Sequence, residues 1–362
     1  MELYIGGGCG EHGRNCFYIA ADQTALIIDC GVKAGDDAPY PLLTDKQIRS
    51  AAYLFLTHSH NDHTGALAWL LAHGFTGHIV ATAPTVQQIK TCLPRLTMID
   101  RATAPLQPYQ LSDTLTVSWG RSGHCVGSCW YQIKLEDKRL LCSGDYIADT
   151  LAYNCNVIQD QQADLAILDN AYGQRPQTSA QLRRAFIDSV TELLQQRNIL
   201  LLPVPRYGRN LEILLALKHL FADYTFFADR HLLAELQKLA AYQTWLQPQA
   251  ASQLAACPLQ EVNLNSVPQP GIYLLSDPQL KKTANYPLLR KLIDAGGSIL
   301  ASGFIEPGSK TEQLCHEHLV RTNCYPVHTT AAALAAIIAA NNFAKIVAFH
   351  AQDQPNPKQI TF

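Results

Sequence analysis

The densest group of side chains that could do chemistry lies within a single turn, where His58, His60, Asp62 and His63 fall inside six residues. Imidazoles and carboxylates are the ligands that zinc and similar divalent cations take in proteins. An ordinary solvated turn would rarely gather three histidines and an aspartate. The turn therefore predicts a metal site.

The segments on either side of this turn indicate how it is held. Residues 52–57 form an apolar run typical of a buried strand, and residues 65–73 follow with a helical pattern that Gly74 ends. Because side chains alternate along an extended segment, His58 and His60 should share one face. The aspartate and the last histidine of the turn then point elsewhere, toward a second site.

One strand end cannot fill two tetrahedral sites, so further ligands must come from later in the chain. The candidates are His124, Asp145 and His350, each of which follows a predicted strand. Strand ends can converge on one edge of a sheet, which favours this choice. Taken singly, Asp145 could equally be a turn residue, and the two histidines could be ordinary loop residues. Most other histidines, His12 among them, are predicted to have no role in the site.

The composition and net charge of the chain exclude several classes of protein. The chain has 362 residues, 48% of them hydrophobic and 16% charged, which is enough apolar surface for a large core. Lys and Arg number 28 against 30 Asp and Glu, which excludes a uniformly basic surface but allows a local basic patch. No apolar run approaches the roughly 18 residues of a membrane span, and we recognise no signal peptide. Eleven scattered cysteines without a CxxC pair indicate reduced thiols and a cytoplasmic protein.

Two patterns divide the chain. In its first part, short apolar runs follow one another as predicted strands, among them residues 129–135, 139–143 and 165–169. In the second part, helical patterns such as residues 179–196 alternate with short strands such as residues 199–203. That alternation is typical of βαβ units with a parallel sheet.

A glycine-rich segment near the start fits the dinucleotide-binding pattern GxGxxG. It covers residues 8–13, follows a predicted strand, and has Asp29 at the distance of a ribose-binding acid. The dinucleotide fold needs a helix directly after the glycines, whereas residues 15–20 are a predicted strand. We therefore expect these glycines to shape a loop close to an active site.

The ordered motifs of the chain resemble those of the metallo-β-lactamase superfamily, and in particular its β-CASP nucleases. The superfamily motifs are HxHxDH at residues 58–63, HxxGS at 124–128, SGD at 143–145 and the strand-end histidine 350. The segments similar to β-CASP motifs are residues 166–173, 202–212, 302–309 and 327–329. The opening residues 10–15 and 28–33 look like the ribonuclease J group.

This resemblance implies an α/β fold in two parts, an αββα metallo-β-lactamase sandwich with an inserted α/β β-CASP domain. The first part of the sandwich would span residues 1–173, the insert residues 174–326, and the return segment of the sandwich residues 327–362. The implied activity is that of a metal-dependent hydrolase, a ribonuclease of RNA processing.

The resemblance also implies roles for individual residues. Two Zn²⁺ ions, or Mn²⁺ as a possible substitute, would be held by His58, His60 and His124 for the first, by Asp62, His63 and His350 for the second, and by Asp145 between them. Asp62 would also count among the catalytic residues. His328, supported by Asp169, would lie near the scissile phosphate.

Phosphodiester hydrolysis needs a nucleophile at neutral pH and a proton for the leaving 3′-oxygen. A hydroxide that bridges the two metal ions would be the nucleophile, because zinc lowers the pKa of bound water toward roughly 7. A histidine held by a carboxylate, here His328 with Asp169, is suited to give the proton.

RNA or single-stranded DNA is the predicted partner, and such a strand needs a positive groove. Six arginines and no lysine lie between Arg175 and Arg209. They form either a local Arg-rich patch that contacts phosphates or a solvated helix face, and both interpretations stay open. Arg209 is the first candidate for a phosphate contact. Arg206, Ser128 and Thr330 are further substrate-binding candidates, and the oligomeric state is not predicted.

Two other functions stay open. A small-molecule metallo-hydrolase, such as a lactonase, thioesterase or β-lactamase, could use the same first domain, although the β-CASP-like segments argue against it. A non-catalytic scaffold is the second alternative, and the complete set of seven candidate ligands argues against that.

Overall fold

A computed structural model describes residues 1–263, 266–351 and 358–362. The described chain divides into two compact units. Unit 1 consists of Met1–Asp149, Asn154–Thr178 and His328–Phe362, and unit 2 consists of Thr150–Tyr153 and Ser179–Val327. Most of unit 2 is therefore one continuous insert in the sequence of unit 1.

Strands provide most of the framework of unit 1 and the sheet of unit 2. Numbered in chain order among the described residues, they are β1 (Glu2–Gly7), β2 (Cys16–Ala20), β3 (Ala25–Ile28), β4 (Ala51–Phe55), β5 (His78–Ala81), β6 (Leu96–Met98), β7 (Tyr109–Ser112), β8 (Leu115–Arg121), β9 (Cys129–Leu135), β10 (Lys138–Cys142), β11 (Gln162–Ala163), β12 (Leu165–Asp169), β13 (Ile199–Pro203), β14 (Phe226–Ala228), β15 (Leu259–Glu261), β16 (Gly271–Leu275), β17 (Ser298–Ala301), β18 (Val320–Thr322), β19 (Asn342–Phe343), β20 (Ile346–Phe349) and β21 (Gln359–Thr361).

Helices connect and cover these strands. In the same described residues they are α1 (Asp45–Ser50), α2 (Asn61–Thr64), α3 (Leu67–Ala72), α4 (Ala83–Gln88), α5 (Ile99–Ala102), α6 (Ser179–Gln196), α7 (Arg209–Lys218), α8 (Arg230–Lys238), α9 (Pro248–Ala255), α10 (Tyr286–Asp294), α11 (Lys310–His316) and α12 (Ala331–Ala339). None of them is both long and apolar enough to cross a membrane.

Unit 1 is built on two large sheets. One has the strand order β21-β1-β2-β3-β4-β5-β6 and the other has the order β20-β12-β10-β9-β8-β7. The sheets face each other: the Tyr131 hydroxyl donates to the Leu56 carbonyl at 3.0 Å, and the Phe55 and Tyr131 rings pack edge to face. Phe17 and Phe349 make the same kind of contact across the interior. These buried aromatic side chains form the inner core of a sandwich.

Helices cover the outer faces of the sandwich. Ile48 of α1 and Leu70 of α3 belong to a core cluster with residues of β2 to β5. Ile337 of α12 packs into another cluster with Leu141 and Leu168, from β10 and β12. The layers therefore run helix, sheet, sheet, helix, and the expected αββα sandwich is confirmed.

Unit 2 contains a parallel sheet with the order β15-β14-β16-β13-β17-β18. The four inner strands are almost wholly apolar, as in Ile199–Pro203, because both faces of a parallel sheet are buried, whereas the edge strands β15 and β18 carry polar side chains. The expected alternation of helices and parallel strands is therefore confirmed, and with it the inserted α/β domain.

One local feature confirms a sequence-based expectation and one differs from it. The helical pattern over residues 65–73 corresponds to α3, Leu67–Ala72, and a separate short helix, α2, precedes it at Asn61–Thr64. Gly65 lies between them, where a Cβ would come within 2.7 Å of both the Asn61 carbonyl oxygen and Val32, so the chain turns tightly at this point. Thr150–Tyr153 group with unit 2 because Glu212 accepts hydrogen bonds from the backbone N–H groups of Leu151 and Ala152.

Candidate metal centre

The turn with three histidines leaves the carboxyl end of β4. The chain stays extended as far as His60, which caps the N-terminus of α2 with φ −62° and ψ 152°. Asp62 and His63 lie in that helix and so leave the backbone in other directions than the extended histidines, although the His63 ring still packs against that of His58, with centroids 4.1 Å apart. Gly31 packs against this turn so closely that a Cβ on it would lie 1.6 Å from the Asp62 carbonyl oxygen. The backbone of the turn is therefore set by packing against a neighbouring loop.

The other candidate ligands follow strands that run in one direction through the second sheet. β10, β12 and β20 are mutually parallel, so Asp145, Asp169 and His350 emerge at the same edge. β8 runs in that direction as well, because both β8 and β10 are antiparallel to β9, and its end leads to His124. The topology of the sheet thus gathers residues that are more than 200 positions apart.

Asp145 lies at the centre of the gathered side chains. Its Oδ2 atom is 3.4 Å from Nε2 of His58 and 3.4 Å from Nε2 of His124. Its Oδ1 atom is 3.0 Å from Nε2 of His63 and 3.3 Å from Nδ1 of His350. The two carboxylate oxygens therefore face different sets of imidazoles.

The remaining two candidates complete these sets. Nδ1 of His60 lies 3.1 Å from Nε2 of His124 on the first side. On the second side Oδ2 of Asp62 lies 3.1 Å from Nε2 of His350 and 3.6 Å from Nε2 of His63. The structure thus brings together all seven residues that the sequence singled out as ligand candidates.

The donor atoms fit a divalent cation. His58, His60, His124 and Asp145 form one group, and Asp62, His63, Asp145 and His350 form another, with the ligand atoms of each group within 4.8 Å of one another. Nε2 of His58, Oδ1 of Asp145 and Nδ1 of His350 are buried without a hydrogen-bond partner among the described residues. Buried polar atoms rarely lack partners, and nitrogen and carboxylate donors in this number suit zinc.

The electrostatics differ between the two groups. Although burial opposes protonation, Asp145 and the other carboxylates nearby hold the pKa of His63 and of His350 well above its usual value, whereas two imidazoles of the first group are held neutral. Burial lowers the pKa of His60 to about 3 and holds the pKa of His124 well below its usual value, so both imidazoles are neutral, as cation binding requires. Burial opposes ionisation of Asp145, but His63 and His350 more than offset it and hold the pKa of this carboxyl well below its usual range. A charged carboxylate is thus maintained at the centre of the cluster.

His328 and Asp169 form a separate pair at the edge of this cluster. Nδ1 of His328 lies 3.1 Å from Oδ2 of Asp169, and that carboxylate also accepts from the backbone N–H groups of Tyr146 and Ala171. These bonds fix the carboxylate, and the carboxylate fixes the imidazole. The His328 ring lies 4.9 Å from that of His124, centroid to centroid.

Four residues around the second group were not singled out as part of the site. Oδ2 of Asp29 lies 2.7 Å from Nδ1 of His63 and accepts the Thr57 hydroxyl, which leaves Nε2 of that histidine for a cation. Asn15 Nδ2 lies 2.9 Å from the same Nε2. The His12 ring stacks on His350, so the structure places beside the site a histidine that was expected to lie outside it. The glycine-rich segment of residues 8–13, which precedes β2, was the sequence feature that could have indicated these contacts.

Two residues predicted to bind substrate, Ser128 and Thr330, use their hydroxyls in hydrogen bonds to nearby backbone groups. The Ser128 hydroxyl, 1% exposed, accepts the Cys125 N–H and donates to the Cys125 carbonyl, closing the loop that carries His124. The Thr330 hydroxyl accepts the Ala333 N–H and caps α12. The structure gives both hydroxyls a role in holding the backbone.

The six arginines are distributed over different environments. Arg175 belongs to unit 1, whereas the other five belong to unit 2. Arg183 hydrogen-bonds Tyr325 inside unit 2, and Arg184 pairs with Asp188 on the exposed face of α6. Arg206 contacts the His231 ring at 2.7 Å. Arg209 packs its guanidinium against Gly303, with its Nε buried and without a hydrogen-bond partner in the described chain.

The sequence of this chain is similar to those of known proteins named as ribonucleases. Residues 9–87 match the metallo-β-lactamase superfamily. The chain is 28% identical over 260 residues to the "Probable RNase MJ4" of Methanocaldococcus jannaschii, 22% identical over 277 residues to the "RNase J-like protein" of the same organism, and 27% identical over 256 residues to the "Endoribonuclease YSH1" of Gibberella zeae. These alignments cover 63%, 68% and 63% of this chain, but only 59%, 62% and 31% of the respective relatives.

A solved structure shares the fold over the whole chain. A protein of unknown function from Enterococcus faecalis V583 superposes with a TM-score of 0.61 at 13% sequence identity, covering 99% of both chains. These matches confirm the resemblance that the motifs carry: residues 9–87 of this chain match a metallo-β-lactamase domain, and the chain is similar to proteins named as ribonucleases.

Proposed function

We propose that this chain is a metal-dependent nuclease that hydrolyses phosphodiester bonds of RNA. The observation that carries the proposal is the carboxylate of Asp145, which faces two sets of imidazoles at 3.0–3.4 Å, beside a His–Asp pair that is suited to proton transfer. Relatives named as ribonucleases support RNA as the substrate class. Eleven scattered cysteines without a CxxC pair support action in the reducing cytoplasm.

Seven residues would hold a pair of Zn²⁺ ions. His58, His60 and His124 would bind the first, Asp62, His63 and His350 the second, and Asp145 both. When bound, such a pair supplies a hydroxide nucleophile at neutral pH and positive charge for the phosphate oxygens. Asp29 holds the His63 ring through Nδ1 and thereby keeps Nε2 directed into the cluster.

His328 would supply the proton that the leaving 3′-oxygen needs. Its Nδ1 is engaged by Asp169, which leaves Nε2 as the nitrogen that can protonate the leaving 3′-oxygen. Asp169 fixes the ring orientation and stabilises the imidazolium before transfer. Arg209 and Arg206 would contact the phosphate backbone, whereas Ser128 and Thr330 would act by shaping the loops that carry His124 and α12.

Degradation of labelled oligonucleotides tests this function. The metal-free full chain is loaded with Zn²⁺ or with Mn²⁺, its cation content is measured, and it is incubated with 5′- and 3′-labelled RNA and single-stranded DNA. We expect cleavage of RNA that requires the cation, with two cations per chain. The two labels separate internal cleavage from stepwise cleavage at either end.

The same preparation tests the alternative functions. Turnover of nitrocefin or a lactone without cleavage of RNA would show a small-molecule hydrolase on the same fold. A chain that binds two cations and cleaves neither class of substrate would support a scaffold. The variant Asp145→Asn is the control, since it removes the shared carboxylate and should abolish cation-dependent cleavage.

A further inference from the structure

We propose that His12 is a positioning residue that holds the His350 imidazole in place for the second divalent cation. The inference rests on the proposed function, because it concerns the cation pair assigned there. It begins from the glycine-rich loop of residues 8–15, whose conformation the nucleotide-binding pattern does not explain.

His350 needs support from outside its own strand. It follows β20 directly and has a φ of 79°, in the left-handed region that is unfavourable for residues other than glycine. The pairing of β20 with β12 extends only to Phe349. Contacts from another segment therefore stabilise the backbone of this residue, while its ring also lies parallel to that of Phe349 in β20, with centroids 5.6 Å apart.

The glycine-rich loop makes those contacts. The His350 N–H donates to the Gly8 carbonyl at 2.6 Å. The His12 and His350 rings are stacked, with centroids 4.6 Å apart and an interplanar angle of 8°, which is the geometry of favourable aromatic stacking. Stacking fixes the plane of the His350 ring and leaves its edge nitrogens facing Asp62 and Asp145.

The loop is ordered by its own interactions. The Glu11 carboxylate binds Nε of Arg14 at 2.7 Å, Nζ of Lys33 at 3.0 Å and the Gly8 N–H at 3.3 Å. A Cβ on Gly8 would lie 2.3 Å from Oδ1 of Asn15, so the two ends of the loop are in close contact. The loop can therefore hold His12 whether or not a cation is bound.

The same loop reaches the other ligands of the second group. The Asn15 N–H donates to the Asp62 carbonyl at 2.8 Å, and Nδ2 of Asn15 lies 2.9 Å from Nε2 of His63. Residues 8–15 thus contact Asp62, His63 and His350. We therefore expect His12 to affect the second cation and to leave the first unchanged.

Cation titration of the metal-free full chain tests this inference. Calorimetry with Zn²⁺, and absorbance with Co²⁺, are compared for wild type, His12→Ala and His12→Phe, with His78→Ala as a control for loss of an exposed histidine. In His12→Ala we expect the first affinity to be unchanged and the second to fall ten- to a hundredfold, as for other residues that orient a ligand. His12→Phe retains a stackable ring and should restore most of the loss.

Two results of this titration would overturn the role of His12. Equal second affinities in His12→Ala and wild type overturn it, and so does failure of His12→Phe to restore binding, because a ring nitrogen would then carry the effect. If His12→Ala does not fold, His12→Gln replaces it in the same comparison. Binding is measured without RNA, so the two proposals can fail separately. If wild type binds two cations but does not cleave RNA, only the proposed nuclease function is overturned. If wild type binds fewer than two cations, both the nuclease function and the role of His12 are overturned.

Discussion

At the scale of single residues, the environment of His328 allows two roles. Its Nδ1 bonds Asp169 at 3.1 Å and lies 3.8 Å from Oδ2 of Asp145. Together with Asp145, Asp169 and His350 it also forms a third group whose donor atoms lie close enough to bind a cation. The buried position of His328 suits either a proton donor or a cation ligand. The number of cations bound by a His328 variant therefore distinguishes the two roles.

Replacing His328 by alanine should preserve both cations and reduce RNA cleavage by about 10²–10⁴-fold, the usual contribution of general acid catalysis. Elemental analysis and single-turnover cleavage, measured on the same sample, check this. His316→Ala, an exposed histidine at the end of α11 with no role assigned to it, is the control. Loss of a cation from His328→Ala would show instead that this residue is a ligand.

At the scale of elements, close backbone packing positions the ligand turn. Gly31 lies against the Asp62 carbonyl, and the Cys30 N–H donates to the His63 carbonyl at 2.7 Å. On the other side Gly144, with φ 53°, brings the loop of Asp145 against Thr57, where a Cβ would lie only 2.7 Å away. The ligand geometry thus depends on two glycines that bind nothing themselves.

We expect Gly31→Ala to lower the free energy of unfolding by about 3 kcal/mol, the upper range for overpacking, and to weaken cation binding, because α2 must move. Chemical denaturation and calorimetric titration measure the two effects. Gly6→Ala, for which the nearest atom to a Cβ is at 3.2 Å on the Leu43 side chain, should change both far less. Equal effects of the two variants would refute this packing role of Gly31.

At the scale of the whole molecule, the candidate ligands connect distant parts of unit 1. They extend from His58 to His350, and the strands at the two ends of the described chain pair with each other, Glu2 opposite Thr361. A cation bound by these residues stabilises the folded arrangement and has no equivalent site in the unfolded chain. Cation binding should therefore be visible in global stability.

Saturation with Zn²⁺ should raise the midpoint of thermal unfolding by several degrees, since each site at a hundredfold excess over Kd contributes about 2.7 kcal/mol. A chelator should reverse the shift. Scanning calorimetry of wild type and Asp145→Asn checks this, and the variant should lose the shift because it lacks the carboxylate shared by the groups. An undiminished shift in Asp145→Asn would place the cations elsewhere.

Sequence alone determined the parts of this protein that depend on local order. Residue type and periodicity predicted the strand Leu165–Asp169, the helix Ser179–Gln196 and a strand after the first glycines, and all three agree with the structure. These features depend on neighbours within a few residues, so a single sequence carries them.

Only the tertiary structure decided which atoms meet. The contacts of Oδ1 and Oδ2 of Asp145 with different histidines, and the stacking of His12 on His350, depend on how two sheets pack. The contact of Asp29 with His63 depends on the pairing of β3 with β4. The Ser128 hydroxyl was likewise assigned to its own loop only by geometry. Such contacts join residues up to 338 positions apart, and the side-chain directions that produce them are set by packing of the sandwich, which spacing along one chain does not encode.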